Sequence, residues 1–269
     1  MNTKYDHVIR VRVDPTNPGQ FFACCGLLEL AERLWKECEG WFEKGMFHLR
    51  TFGDGEDRTL SSLLCKVSKT PLRQIDTEDD FSSPMELPTP FGLRIDWWKD
   101  EDTGGNQLKV WAGSMRSVRI ARAMQATLSR TELHNEGLFE YGAVVYDPQE
   151  PDKKVEPFYF DARRGSNALA IDIGFMPDSL SMTTVAYPTV EFLCLVGLQR
   201  FRPMPTDTRR VFDYSTWQVP LATQVAPLAA CGGLPHASDC SYRFQIAFRT
   251  DKRKHKAFTP ATPLERSEL

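Results

Sequence analysis

Alternation of apolar and polar residues opens the chain. In residues 7–13, Ile9, Val11 and Val13 fall on one face while Arg10 and Arg12 fall on the other, the period of a half-buried strand. Asn17-Pro18-Gly19-Gln20 then predicts a helix start, with Asn17 as N-cap, Pro18 at the first helical position and Gln20 placed to reach back as in a capping box. The helix from Phe21 to about Cys38 has no polar side chain between Phe21 and Leu28, so it must be packed on most sides, on a sheet at the centre of a lobe. A second apolar helix, Pro188 to Phe201, echoes it. A shift of 170 residues aligns Pro18 with Pro188, Phe22 with Phe192, Cys24 with Cys194 and Leu28 with Leu198, and each copy follows a predicted strand.

Further alternation marks Phe91, Leu93, Ile95 and Trp97 as a strand, with Gln107 to Trp111 returning beside it after a Gly-rich turn. Leu138 to Tyr146 and Ser181 to Tyr187 read as strands. In Phe158-Tyr159-Phe160 the alternation turns the two phenylalanines inward and Tyr159 outward. Tyr242, Phe244, Ile246 and Phe248 alternate with polar residues in a late strand. Four prolines between 66 and 90 predict mostly loop there. The pattern predicts an α+β fold of two strand-then-helix lobes with largely antiparallel sheets, each packed on a strongly apolar helix. The lobes span 1–146 and 155–250, joined by the polar loop 147–154 and followed by a basic, flexible tail over 251–269.

The 269 residues are 41% hydrophobic and 26% charged, which excludes disorder over most of the chain and a coiled coil. A net charge of −3 excludes a uniformly basic binder, but the total hides a pattern: −6 over 54–102, +5 over 103–131 and +5 over 243–256. Seven cysteines, with Cys24, Cys25 and Cys194 inside apolar helices, fit buried free thiols in a reducing cytosol, and so a cytoplasmic protein. No run of about 20 apolar residues exists to span a bilayer.

The sequence holds no phosphate-binding glycine loop, dinucleotide fingerprint, nucleophile elbow or His-Glu-x-x-His pair. Cys231, His236 and Cys240 are too loosely spaced for a zinc site, and the acids at 76–80 read as a solvated run. We therefore expect a non-enzyme without cofactor or small-molecule substrate. The competing expectation is a metal-dependent nuclease or RNA-processing enzyme using carboxylates from 96–102 or His134. What stands out is arginine. In the helix from Ser114 to about Leu128, Ile120, Ala121, Met124 and Leu128 share one arc, and Arg116, Arg119 and Arg122 share the opposite one. That stripe is a phosphate-contacting face, a solvated face, or a partner for the acidic middle segment. Arg163 and Arg164 follow the aromatic triplet, and Arg200, Arg202, Arg209 and Arg210 form a further cluster. These nine are the candidate nucleic-acid contacts, since planar guanidinium groups suit phosphate.

Three blocks carry a resemblance: Val-Asp-Pro-Thr-Asn-Pro-Gly-Gln-Phe-Phe-Ala-Cys-Cys-Gly-Leu-Leu-Glu-Leu-Ala over 13–31, Phe-Tyr-Phe-Asp-Ala-Arg-Arg-Gly-Ser-Asn-Ala over 158–168, and Tyr-Pro-Thr-Val-Glu-Phe-Leu-Cys-Leu-Val-Gly-Leu-Gln-Arg-Phe-Arg-Pro over 187–203. They resemble a small protein family encoded with type I CRISPR–Cas systems of subtype I-G (formerly I-U). The resemblance implies a subunit of the crRNA-guided surveillance complex (Cascade) in antiviral defence, either its large-subunit counterpart or an accessory. Such a subunit binds crRNA or target DNA without cutting it, and its partners are the other effector subunits. As the large-subunit counterpart it would contact the protospacer-adjacent motif or stabilise the displaced strand. No contact residue carries over from the family.

Overall fold

The structure, a computed structural model, describes residues 6–53, 57–75, 84–96, 107–111, 115–164, 185–249 and 255–265. The fold is α+β, and every strand pair described is antiparallel. Strand β1 (Asp6–Arg12) leads into helix α1 (Pro18–Trp35), followed by the hairpin β2 (Cys38–Glu43) and β3 (Met46–Phe52). Since β3 lies between β1 and β2 and is antiparallel to both, β1 and β2 run parallel across α1, a split β–α–β unit. The hairpin turns on Lys44-Gly45, both at positive φ (50° and 75°), as a two-residue turn of right-twisted strands requires.

Asn17 does cap α1, its side chain accepting from Gly19 N at 3.1 Å. Gln20 reaches past the cap, accepting instead from Asp14 N at 2.8 Å. Proline content proves a poor guide to 66–90. Helix α2 (Leu60–Lys69), capped by Thr59, buries Leu60, Leu63, Leu64 and Val67 at helical spacing and runs into that stretch. Strands β4 (Arg73–Gln74), β5 (Met85–Leu87) and β6 (Leu93–Ile95) make a small sheet in which β6 pairs with β5. The expected partner, 107–111, forms no strand. Its Val110 carbonyl accepts instead from Lys256 N at 3.2 Å. Helix α3 is Ser117–Ala126, with Arg116 as its N-cap and two 3₁₀ turns, Thr127–Ser129 and Thr131–Leu133, beyond it. Residues 138–146 also form no strand, being held by isolated bridges of Ala143 to Ala186 and Tyr146 to Lys154. Of the strand expected over 181–187, residues 181–184 lie outside the described residues.

Helix α4 (Pro188–Gly197) precedes β7 (Met204–Pro205), β8 (Val211–Trp217), β9 (Leu221–Ala222), α5 (Ala226–Ala230) and β10 (Ser238–Phe248). Strands β11 (Lys256–Phe258) and β12 (Thr262–Pro263) both pair with β10, giving the second sheet, while β9 adds to the first beside β2. The flexible tail is thus corrected over 255–265. Ala257, Phe258 and Ala261 are buried, and that apolar contact holds the segment on β10.

Helix α1 lies among both sheets and α4. Phe21 meets Phe42 of the first sheet with ring centroids 5.2 Å apart and Tyr214 of the second at 4.5 Å. The Trp217 indole donates to Gly40 O at 2.7 Å across the same centre. Helices α1 and α4 cross with their backbones in contact, because a Cβ on Gly26 would fall 2.0 Å from Leu193 O and one on Gly197 would fall 2.0 Å from Phe22 O. No other side chain than hydrogen fits at that crossing.

Candidate nucleic-acid interface

Four of the nine candidate arginines are engaged inside the fold. Arg119 pairs with Asp147 and with Glu150 (2.8 Å), and Arg122 donates through Nε and Nη2 to Leu72 O at 3.1 and 3.0 Å. The arginine stripe of α3 therefore faces the 147–150 loop and the chain after α2, across a half-open cleft of about 480 Å³ that Arg116 also lines. Arg200 pairs at 2.6 Å with Glu29, a carboxylate buried on α1 that Arg33 also holds at 2.6 Å. Arg163 grips buried Asp161 through Nε (2.9 Å) and Nη2 (2.6 Å), donates to Phe139 O, and lies 3.4 Å above the Tyr187 ring. Arg116 and Arg202 are exposed.

The remaining three, Arg164, Arg209 and Arg210, are brought together with Lys109, Arg249 and Lys256. Residue Lys256 sits on β11 opposite Phe248 of β10. Its ammonium is pushed below the usual lysine range, first by burial and then by Arg210, Lys109 and Arg209. The Arg210 guanidinium lies 4.5 Å over the Phe248 ring, that of Arg249 3.3 Å over Tyr159, and the Lys109 ammonium 5.2 Å over Trp111. Among the described residues, the buried Nε atoms of Arg164, Arg210 and Arg249 have no hydrogen-bond partner. Burial raises the Tyr159 hydroxyl, and Arg249 and Arg164 oppose that shift. The hydroxyl donates to Glu156, the carboxylate at the edge of the cluster.

Two residues of this cluster carry backbone strain. Tyr159 has φ +71° and Arg210 φ +64°, where a side chain with a Cβ is disfavoured. Hydrogen bonds fix both: Phe258 N donates to Tyr159 O at 3.0 Å and Ile246 N to Arg210 O at 2.9 Å. The inverted backbone explains why Tyr159 is buried beside Phe158 and Phe160 instead of pointing outward. Of the cluster, Lys109, Tyr159, Arg249 and Lys256 are absent from the nine sequence candidates. The signal that could have found Arg249 and Lys256 was the cationic end of the β10 alternation, running into the basic stretch that begins at Lys252.

The three sequence blocks that carry the resemblance meet in one buried polar knot. The Asn17 side chain donates to Asp161 Oδ1 at 3.0 Å and accepts from Ala162 N at 3.1 Å. Glu191, in the first turn of α4, accepts from Asp161 N at 3.1 Å and Phe160 N at 3.2 Å. Burial, with Asp161 nearby, pushes the Glu191 carboxyl up to about 8. Elsewhere, His134 links Ser61 Oγ (3.0 Å) and Leu128 O (2.9 Å), bracing α2 against the turn after α3. Asp96 pairs with Arg94, while the acids at 100–102 lie outside the described residues. Among the described residues, no group of three His, Cys, Asp or Glu side chains is placed to hold a metal ion. No described helix is long and apolar enough to cross a membrane. No protein-family model matches this chain, and no curated protein and no solved structure matches it.

Proposed function

We propose that this chain is a non-catalytic nucleic-acid-binding subunit of a type I CRISPR–Cas surveillance complex, acting in the cytoplasm with other effector subunits. The carrying observation is the cluster of Lys109, Arg164, Arg209, Arg210, Arg249 and Lys256, which concentrates positive charge at cost to Lys256 and to the backbone of Tyr159 and Arg210. Strain and mutual repulsion of this kind persist where a ligand relieves them, and phosphate oxygens are the natural acceptors for the half-exposed guanidinium groups of Arg164, Arg210 and Arg249. Stacking on Tyr159 and Phe248 holds the planar groups in fixed orientations, so little side-chain freedom is lost on binding. Backbone contacts of this type carry no sequence information. In the proposed complex, base pairing with the guide RNA reads sequence and this subunit grips the crRNA or the target DNA backbone.

The test is a binding titration with labelled guide RNA and single- and double-stranded target DNA. The charge-reversed variant R210E/R249E/K256E is expected to lose at least tenfold in affinity at moderate salt, and the wild-type log affinity is expected to fall linearly with log salt. Equal binding by the folded variant would contradict the assignment of this cluster.

A further inference from the structure

Strand β1 stands at the margin of the first sheet, paired with β3 on one side, and among the described residues no strand pairs with its other side. Two backbone bonds fix which of its residues face which way. Val13 N donates to Gly45 O, on the β3 side, at 2.9 Å, whereas Arg12 N donates to Glu136 O at 2.7 Å. Backbone groups alternate along a strand, so those of His7, Ile9 and Val11 face β3, and those of Asp6, Val8 and Arg10 face away from it. The side chains of the latter three lie on the sheet face opposite the buried Ile9 and Val11. Asp6 and Arg10 are exposed, and so is Val8, at 42%. Neither a proline nor a break in register guards this edge.

We propose that β1 pairs with β1 of a second copy of this chain, antiparallel across a two-fold axis through Val8, joining the two first sheets into one. The pairing goes beyond the nucleic-acid reading and does not rest on it. The occupant follows from the sequence of the edge, which is complementary to itself about Val8. In that register Val8 meets its own equivalent, and Asp6 meets Arg10 of the second copy at both ends. Each pair exchanges both N–H···O bonds, and its side chains lie about 5 Å apart on one face. An exposed valine is thereby covered, and each charge stands opposite its counterpart. Neighbouring two-fold registers fail on charge or on backbone. An axis through Arg10 or Asp6 sets that charge against itself, and one through His7 sets Asp6 against Val8. An axis through Ile9 needs Arg12, whose N–H is held by Glu136 O and whose guanidinium is held by Glu140. The edge is short, so the pairing belongs to the weak, reversible class.

The experiment is sedimentation equilibrium of the full chain over a concentration series from low to high micromolar. The wild type is expected to rise from 30.7 kDa toward twice that mass as concentration increases. V8P removes an N–H that points away from β3, so the β1–β3 ladder loses no bond while the bonds at the axis are lost. D6R sets two arginines in opposition at each end of the pairing, and D6R/R10D restores opposite charges in reversed order. The dissociation constant is expected to rise at least about tenfold in V8P and in D6R, and to return to within about threefold of wild type in D6R/R10D. A wild type that stays at 30.7 kDa throughout overturns the proposal. A dimer that V8P or D6R leaves as strong as wild type also overturns it, since another surface then holds the copies. A double variant as weak as D6R contradicts the register, and with it the proposal. If V8P does not fold by circular dichroism, D6R and D6R/R10D alone decide.

Discussion

Arg163 and Arg249 are both stacked on tyrosines, at 3.4 and 3.3 Å, yet their surroundings give them opposite duties. Arg163 neutralises a carboxylate that has no exposure at all, so R163A leaves Asp161 charged and buried. We expect that variant to lose about 3 kcal/mol of unfolding free energy, measured by urea denaturation. Arg249 has no such carboxylate on its buried Nε, and R249A is expected to weaken nucleic-acid binding while leaving the urea midpoint nearly unchanged. Cysteine reactivity gives a second check at this scale. Burial raises the thiols of Cys24, Cys25 and Cys194 well above their ordinary range, whereas Cys240 is exposed. Alkylation of the native protein at pH 8, read by mass spectrometry, should label Cys240 and leave those three unmodified until denaturant is added. Glu191 contributes to stability with a definite sign. Its folded value of about 8 lies above its ordinary 4.5, so the folded protein keeps a proton that the unfolded chain has lost. That contribution is full below pH 4.5, declines up to about pH 8 and is gone above it. The difference in urea midpoint between wild type and E191Q should follow this course.

At the scale of elements, the crossing of α1 and α4 is the tightest joint. G197A places a methyl where Phe22 O stands, and the helices must separate to accept it. A loss of at least about 3 kcal/mol is expected, visible as a lowered thermal midpoint. Helices α1 and α4, β1 and β10 were legible in the sequence because each carries an uninterrupted local signal: the Asn17-Pro18 start, the apolar run, and strict alternation from Tyr242 to Phe248. Helix α2 carries a local signal in Thr59 and the spacing of Leu60, Leu63, Leu64 and Val67, which proline content further along does not touch. Strands β11 and β12 were not legible. They are too short to carry a period, and Phe258 of β11 is buried against distant rings, Phe160 and Phe244. The division of the arginines was illegible for the same reason. Sequence places Arg119, Arg122, Arg163 and Arg200 in basic stretches, and only the fold brings Asp147, Leu72 O, Asp161 and Glu29 to them.

For the molecule as a whole, the near-neutral total charge is an average over unlike regions. Folding gathers Lys109, Arg164, Arg209, Arg210, Arg249 and Lys256, separated by up to 147 positions, around two strained residues and three stacked rings. Such convergence of like charge opposes folding. Other described arginines, Arg119, Arg200 and Arg243, are instead paired with carboxylates. The slope of log affinity against log salt therefore reads the cluster most directly. For guide RNA, the wild type is predicted to show a steep negative slope that becomes shallower by about 2 when Arg210, Arg249 and Lys256 are reversed to Glu. An unchanged slope and affinity in that variant, with its fold intact, would contradict the account.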